Sequence, residues 1–254
     1  MNIQIRHLDK QYPYPSRETH NVLKDINLNI QAGDFVTILG KSGCGKSTLL
    51  NLIAGLSEPS KGDILLNGKR VKGTHPSIYI VFQQPCLLPW LNVEDNISFG
   101  CKLRKEMDNL AYRVGQFIEL IGLSGRNRLY PAELSVGMAC RVALARALIG
   151  RPKALLLDEP FGALDIFTRS RLQEEMINIW MSEQFTAMLV THDIDEAILM
   201  GKKIVILGGS PCRIMDIVEN PLPYPRKITD ENFFRTKTMV MKKFKHIFLQ
   251  SERV

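Results

Sequence analysis

The stretch Gly40-Lys41-Ser42-Gly43-Cys44-Gly45-Lys46-Ser47 constrains this chain more than any other eight residues. It fits G-x-x-x-x-G-K-[ST]. It sits between a short apolar run, residues 35–39, and a segment that reads as a helix, residues 46–56. Strand, glycine-rich turn and helix, in that order, form the context that turns the pattern into a phosphate site. Glycines let the backbone curl until its N–H groups surround one centre, and the helix dipole adds positive potential there. In such a loop Lys46 reaches the β- and γ-phosphates of a nucleotide and the Ser47 hydroxyl ligates Mg2+. Cys44 sits inside the loop and reads as a small residue with no chemistry of its own.

The flanking pattern gives the fold class. Residues 3–8 and 22–30 read as strands, the second from apolar residues alternating through Val22, Ile26, Leu28 and Ile30 with Lys24 interposed. The apolar run at 35–39 is typical of a buried parallel strand. Further strands are expected at 64–66, 78–82, 154–157, 186–190 and 204–207, with helices at 166–181 and 194–200. Alternating strands and helices predict a parallel sheet covered on both faces. From about 93 to 150 the pattern is helical: Val114, Phe117, Ile118 and Ile121 recur at i, i+3, i+4, i+7. A second helix is expected over 135–149, with Ser135 as its N-cap. This block reads as an insertion into the sheet domain. Pro221, Pro223 and Pro225 break the chain before a last helix over 231–250.

Residues 154–157 run into Asp158-Glu159-Pro160. Ligands bind at the carboxyl edge of such a sheet, and adjacent strand residues point to opposite faces. Asp158 is therefore assigned to the metal, through water, and Glu159 to the attacking water. A positioned base is worth about 10²–10⁴-fold in rate. Thr191-His192-Asp193 ends another apolar strand, where His192 serves either as a γ-phosphate hydrogen-bond donor or as a structural residue.

Bulk properties narrow the class. With 254 residues, 45% of them hydrophobic, the chain can bury a substantial core. No apolar run reaches the ~18–20 residues that span a bilayer, and residues 1–9 do not read as a signal peptide, so a cytoplasmic protein is expected. Cys44, Cys86, Cys101, Cys140 and Cys212 show no CxxC spacing and read as reduced thiols, not a zinc site or disulfide frame. The net charge of +7 admits a nucleic acid, an anionic membrane or merely scattered lysines. Much of the excess lies in Lys237, Lys242, Lys243, Lys245 and Arg253, without a nucleic-acid-binding signature. No nucleic acid partner is expected. Phe233, Lys237, Val240, Phe244 and Phe248 share one helix face, which either packs on the domain or lies on an anionic leaflet.

The phosphate loop, Leu134-Ser135-Val136-Gly137-Met138, Leu157-Asp158-Glu159-Pro160, Ala163-Leu164-Asp165 and His192 together resemble the ABC transporter ATPases, up to about Ile217. The resemblance implies an α/β fold: a P-loop NTPase (RecA-like) core with an N-terminal antiparallel β subdomain and an inserted α-helical subdomain. The ATPase domain is then expected at 1–220, with the helical insert at about 88–150 and a C-terminal helical extension at 221–254. ATP and Mg2+ are the implied cofactors. Implied nucleotide contacts are Tyr12, Gly40, Lys41, Ser42, Gly43, Cys44, Gly45, Lys46, Ser47, Thr48, Ser135 and Gly137. Tyr12 is either an adenine-stacking ring or a simple exposed tyrosine. Catalytic roles are implied for Lys46, Gln83, Glu159 and His192, and metal roles for Ser47, Gln83 and Asp158. Asp165 matches the acid that communicates between two subunits.

The implied partners are a membrane permease, a second ATPase subunit facing head to tail (a homodimer is expected) and, indirectly, a solute-binding protein. The implied location is peripheral, on the cytoplasmic side of the membrane. Residues 85–90, 91–97 and 164–169 are most similar to importers of nitrate, sulfonate, taurine and related small anions. Leu87-Leu88-Pro89-Trp90 lies either near the groove for a permease's coupling helix or in the core. The sequence departs from the family at Val136, where glycine is usual, and at Ala139 and Cys140, where polar residues are common. Valine keeps its N–H but adds a branched side chain where close approach is needed, and ~1 Å of misplacement costs on the order of 10²-fold in rate. The expectation is slowed hydrolysis or weakened ATP-driven dimerisation. The rivals are a subunit that binds ATP with little hydrolysis and a soluble ABC ATPase. Soluble relatives generally carry two ATPase halves or long coiled-coil insertions, and neither is visible here.

Overall fold

Continuous apolar runs become strands whose two faces are both covered. The computed structural model describes residues 1–13, 19–70 and 72–251, with side chains as far as Ile247. In chain order the elements are β1 (Ile3–Pro13), β2 (Thr19–Ile30), β3 (Phe35–Leu39), α1 (Lys46–Ile53), β4 (Lys61–Leu66), β5 (Lys69–Arg70) and β6 (Ile78–Val81). Then come α2 (Val93–Leu103), α3 (Leu110–Leu120), α4 (Val136–Leu148), β7 (Ala154–Asp158), α5 (Ile166–Glu183), β8 (Thr186–Thr191), α6 (Ile194–Met200), β9 (Lys203–Gly208), β10 (Arg213–Glu219) and α7 (Glu231–Ser251).

A six-stranded sheet has the order β10-β9-β3-β8-β7-β6, parallel from β9 to β6, with β10 antiparallel at its edge. Successive residues of β3, β7 and β8 feed two different cores. Phe35, Leu155, Leu157 and Leu189 pack with the helices of the insert and α5. Val36, Ile38, Leu156 and Val190 pack with α1 and the strands of the other sheet. That division explains why these runs show no polar alternation. The second sheet, β2-β1-β4-β5, is antiparallel.

Three expectations are corrected. The alternation over 22–30 is interrupted: Ile26, Leu28 and Ile30 are buried, but the next buried residue is Leu23, and Val22 is half-buried. Asp25 and His7 both take left-handed backbone, and the register slips at each, so two bulges on paired strands offset one another. The His7 Nδ1 and Asp25 Oδ1 atoms meet at 2.9 Å across them. The first helix ends at Ile53, not at residue 56. Gly55 has φ +73° and backs so closely onto the Gly73 carbonyl that no Cβ fits. Finally, β5 and β10 are strands that the sequence pattern does not predict.

The C-terminal helix packs against the domain. Phe233 and Val240 are buried with Ile198, Ile204, Ile206 and Val218, and Phe244 is packed against them. Lys237 pairs with Asp195 at 2.8 Å and Lys243 with Asp216 at 2.6 Å. The connecting segment is tied down as well: Arg226 Nη1 donates to the carbonyls of Ile198 (2.6 Å) and Gly201 (2.7 Å), and Asn220 Nδ2 donates to the same two. Of the residues singled out in this region, Arg253 and the side chain of Phe248 lie outside the described residues. Leu87 packs on the core, while Trp90 is exposed.

Candidate functional site

Four polar groups converge at the carboxyl edge of the parallel sheet. The loop after β3 turns through left-handed glycines, Gly43 (φ +80°) and Gly45 (φ +101°). A Cβ at Gly45 would stand 2.9 Å from both Val22 and Leu23, so the loop rests directly on β2. Gly45 begins α1 without a side-chain cap, leaving the first N–H groups of the helix without a side-chain acceptor. Such an end attracts anions.

Lys46 is only 5% exposed. Its Nζ donates to the carbonyls of Gly40 (2.9 Å) and Lys41 (3.0 Å) and stands 3.7 Å from Glu159 Oε1. Asp158 ends β7, is buried, and accepts a hydrogen bond from Ser47. Burial holds its pKa above the usual carboxylate range, against the opposing effect of the Ser47 bond. Glu159 follows in left-handed backbone (φ +46°), a conformation that costs about 1–3 kcal/mol for a non-glycine residue and clusters at functional sites. That twist turns its carboxylate toward His192, whose Nδ1 lies 3.0 Å from Glu159 Oε2. The Glu159 N–H is itself held by the Val190 carbonyl on β8.

The remaining sequence candidates divide. Ser47 joins the cluster through Asp158, and Thr48 follows it on α1. Gly40, Lys41, Ser42, Gly43 and Cys44 form the loop itself. Gln83 is exposed two residues beyond Val81, which pairs with Leu157, so it stands at the same sheet edge as the acids. Tyr12 is exposed on β1 opposite His20, with the Lys10 ammonium 4.7 Å from its ring centre. Among the described residues no hydrogen bond or ion pair ties Tyr12 to the loop. Ser135 does cap α4, accepting from Met138 N at 3.2 Å. Val136 is 64% exposed, and a Cβ at Gly137 would meet Leu164 at 3.3 Å. The start of α4 therefore packs beside the 163–165 turn with its first side chain facing outward, and Asp165 caps α5 through Phe167 N and Thr168 N.

Sequence reasoning missed two supports. Arg146, half-buried on α4, donates to the carbonyls of Pro85 (3.1 Å) and Cys86 (2.9 Å), so the helix that begins at Ser135 also holds the segment after Gln83. Glu196 is buried at the start of α6 and accepts from Gln173 Nε2 at 2.9 Å and from Thr191, bracing the strand end that carries His192. An arginine and a glutamate on amphipathic helices give no signal of these roles in sequence alone.

A family profile described as "ABC transporter" matches residues 23–162. The aliphatic sulfonates import ATP-binding protein SsuB of Bacillus anthracis is 44% identical over 246 residues, 97% of each chain. The nitrate import ATP-binding protein NrtC of Synechococcus elongatus is 44% identical over 89% of this chain and 35% of its own length. Among solved structures, the dimeric post-hydrolysis state of the ATP-binding cassette MJ0796 bound to ADP and Pi aligns with a TM-score of 0.78 at 28% identity, covering 89% of this chain and 99% of that one.

Proposed function

The chain belongs to the ABC transporter family, and from that premise we propose that it binds and hydrolyses ATP to drive import of an aliphatic sulfonate or closely related small anion through a separate membrane permease. The observation that carries the reading is the convergence of Lys46, Asp158, Glu159 and His192 on one glycine-rich loop. ATP lays its phosphates against the N–H groups of residues 40–47, and Lys46 exchanges its two carbonyl acceptors for phosphate oxygens. Glu159 takes the proton of the attacking water, and His192 at Oε2 fixes which way the carboxylate points. Ser47 and Asp158 suit Mg2+, because both offer hard oxygen donors already in contact and burial leaves the carboxylate short of solvation that a divalent cation would replace. Gln83 would complete that set from the sheet edge. Bound there, Mg2+ would supply neutralisation of the charge on the nucleotide's phosphates.

A second ATPase subunit supplies the start of its α4. Ser135 and the first N–H groups of that helix then close over the γ-phosphate from the opposite side, which accords with their exposure here. The pair works beneath its permease on the cytoplasmic face of the membrane. The test is ATP-dependent uptake in cells deprived of this chain. Ethanesulfonate uptake is expected to return with the wild type and not with Glu159→Gln. Restoration of nitrate but not ethanesulfonate uptake would overturn the solute class, and loss of neither activity in the variant would overturn the catalytic assignment.

A further inference from the structure

Cys44 does not point into the phosphate cradle. Its Sγ is folded back beneath the loop, where a Cβ on Gly40 would lie 2.8 Å from it. There it shares a hydrogen bond with the thiol of Cys212. Cys212 is 2% exposed and held on a firm platform: its N–H donates to the Val22 carbonyl and its carbonyl accepts from Lys24 N, each at 2.9 Å. Both cysteines are free thiols in the structure. Cys44 is only half-buried, so a small oxidant can reach it.

We propose that Cys44 and Cys212 are a redox modification site, a dithiol that peroxide converts to a disulfide and that thereby weakens nucleotide binding at the loop. The hydrogen bond between the two thiols and the nearby Lys46 ammonium hold the Cys44 thiol below its usual range, while that same bond and burial push Cys212 up. Cys44, half-buried where Cys212 is sealed in, is the thiol a peroxide reaches, and so the nucleophile, with Cys212 the resolving partner. The Cys44 thiolate attacks a peroxide oxygen, the O–O bond breaks, and hydroxide leaves with a proton to become water. Cys212 sulfur then displaces the hydroxyl of the Cys44 sulfenic acid, its own proton completing a second water. Two thiols lose two electrons and two protons, and one hydrogen peroxide becomes two waters.

The consequence is geometric. A disulfide draws two sulfurs from hydrogen-bonding contact to about 2 Å. Cys212 is anchored to β2 on both sides, so the loop must do most of the moving, and Cys44 stands between Gly43 and Gly45, whose N–H groups form the cradle. A shift of ~1 Å in such a site costs on the order of 10²-fold. The effect on nucleotide rests on the reading of residues 40–47 as the ATP site, whereas the cross-link does not.

The experiment treats the full-length protein, in a Cys86→Ser background that removes the exposed thiol, with hydrogen peroxide. Non-reducing peptide mass spectrometry then reads the cross-link, and equilibrium titration with a fluorescent ATP analogue reads affinity. The expected result is a Cys44–Cys212 peptide, at least tenfold weaker binding, recovery with dithiothreitol, and no reversible loss in Cys212→Ala, which keeps ordinary affinity when reduced. Absence of the cross-linked peptide overturns the site. A cross-link with unchanged affinity overturns the switch, and equal sensitivity of Cys212→Ala assigns the effect to Cys44 oxidation alone, against the pair. If the reduced protein binds no ATP analogue at all, the site reading fails, while the peptide still decides the cross-link.

Discussion

Replacing Glu159 with glutamine separates chemistry from binding, because the change keeps the shape of the side chain and removes one charge. The amide can still meet His192 Nδ1, now 3.0 Å from Glu159 Oε2, and the left-handed backbone is unchanged. On the proposed mechanism, what is lost is the acceptor for the proton of the attacking water. A positioned base contributes about 10²–10⁴-fold, equivalent to roughly 3–5 kcal/mol of barrier. The second loss is the partner of Lys46 at 3.7 Å. The ammonium keeps the Gly40 and Lys41 carbonyls, so the cost lies between that of an exposed pair and a broken buried one, about 1–2 kcal/mol. For a chain of this size that lowers Tm by roughly 2–8 °C without nucleotide. Affinity for ATP is expected to hold or rise, since a negative charge leaves the neighbourhood of the γ-phosphate. Phosphate release, nucleotide titration and calorimetry on one preparation read all three. A variant that keeps more than a tenth of wild-type turnover with normal affinity would refute the assignment of Glu159 as the base.

The remaining predictions concern other parts of the molecule. Val136→Gly removes a branched, outward side chain from the first turn of α4 and is expected to raise turnover or ATP-driven dimerisation; equal rates in variant and wild type would sink the steric argument. Burial, opposed by its bonds to Thr191 and Gln173, raises the pKa of Glu196, so the folded protein holds that proton more tightly than the unfolded chain. Ionised Glu196 therefore costs stability at neutral pH. Glu196→Gln should melt higher at pH 7, with the gap closing as pH falls toward 4.5 and below, and a gap that widens in acid would contradict it. Phe233→Ala should cost about 3–5 kcal/mol in thermal unfolding, because the ring is fully buried under α7. With that apolar face already packed, the whole protein without its permease should not float with anionic liposomes.

The phosphate loop, the acid pair and the parallel strands were legible because each is a local pattern: fixed glycine spacing, a carboxylate at the end of an apolar run, and strands apolar on both faces. Ser135 as a cap was legible for the same reason. The N-terminal strands were read less well, since the bulges at His7 and Asp25 shift the inward face by one residue, and that shift depends on pairing between strands rather than on either alone. β10 escaped because its outer-edge position leaves most residues partly exposed, with Arg213, Asp216 and Glu219 interrupting any apolar run. The pairing of Cys44 with Cys212 depends on that same strand, whose start is carried back to β2, and no spacing rule connects residues so distant in sequence. Gln83 and Tyr12 were reached through family resemblance. Nothing in their immediate neighbours distinguishes them from other exposed polar or aromatic residues.

The fastening of the C-terminal segment has a mechanical consequence. Asp193, next to His192, caps α6 through Asp195 N and Glu196 N, and α6 is gripped at its far end by Arg226 and Asn220 and along its side by Lys237. Most of these bonds are 2.6–2.8 Å long, and those of Arg226 and Asn220 are buried. The helix therefore ties the segment beside His192 at one end to the last helix and its connecting segment at the other. A load on α7, whether from a fused tag or a docked protein, would therefore be carried through α6 to the backbone beside His192.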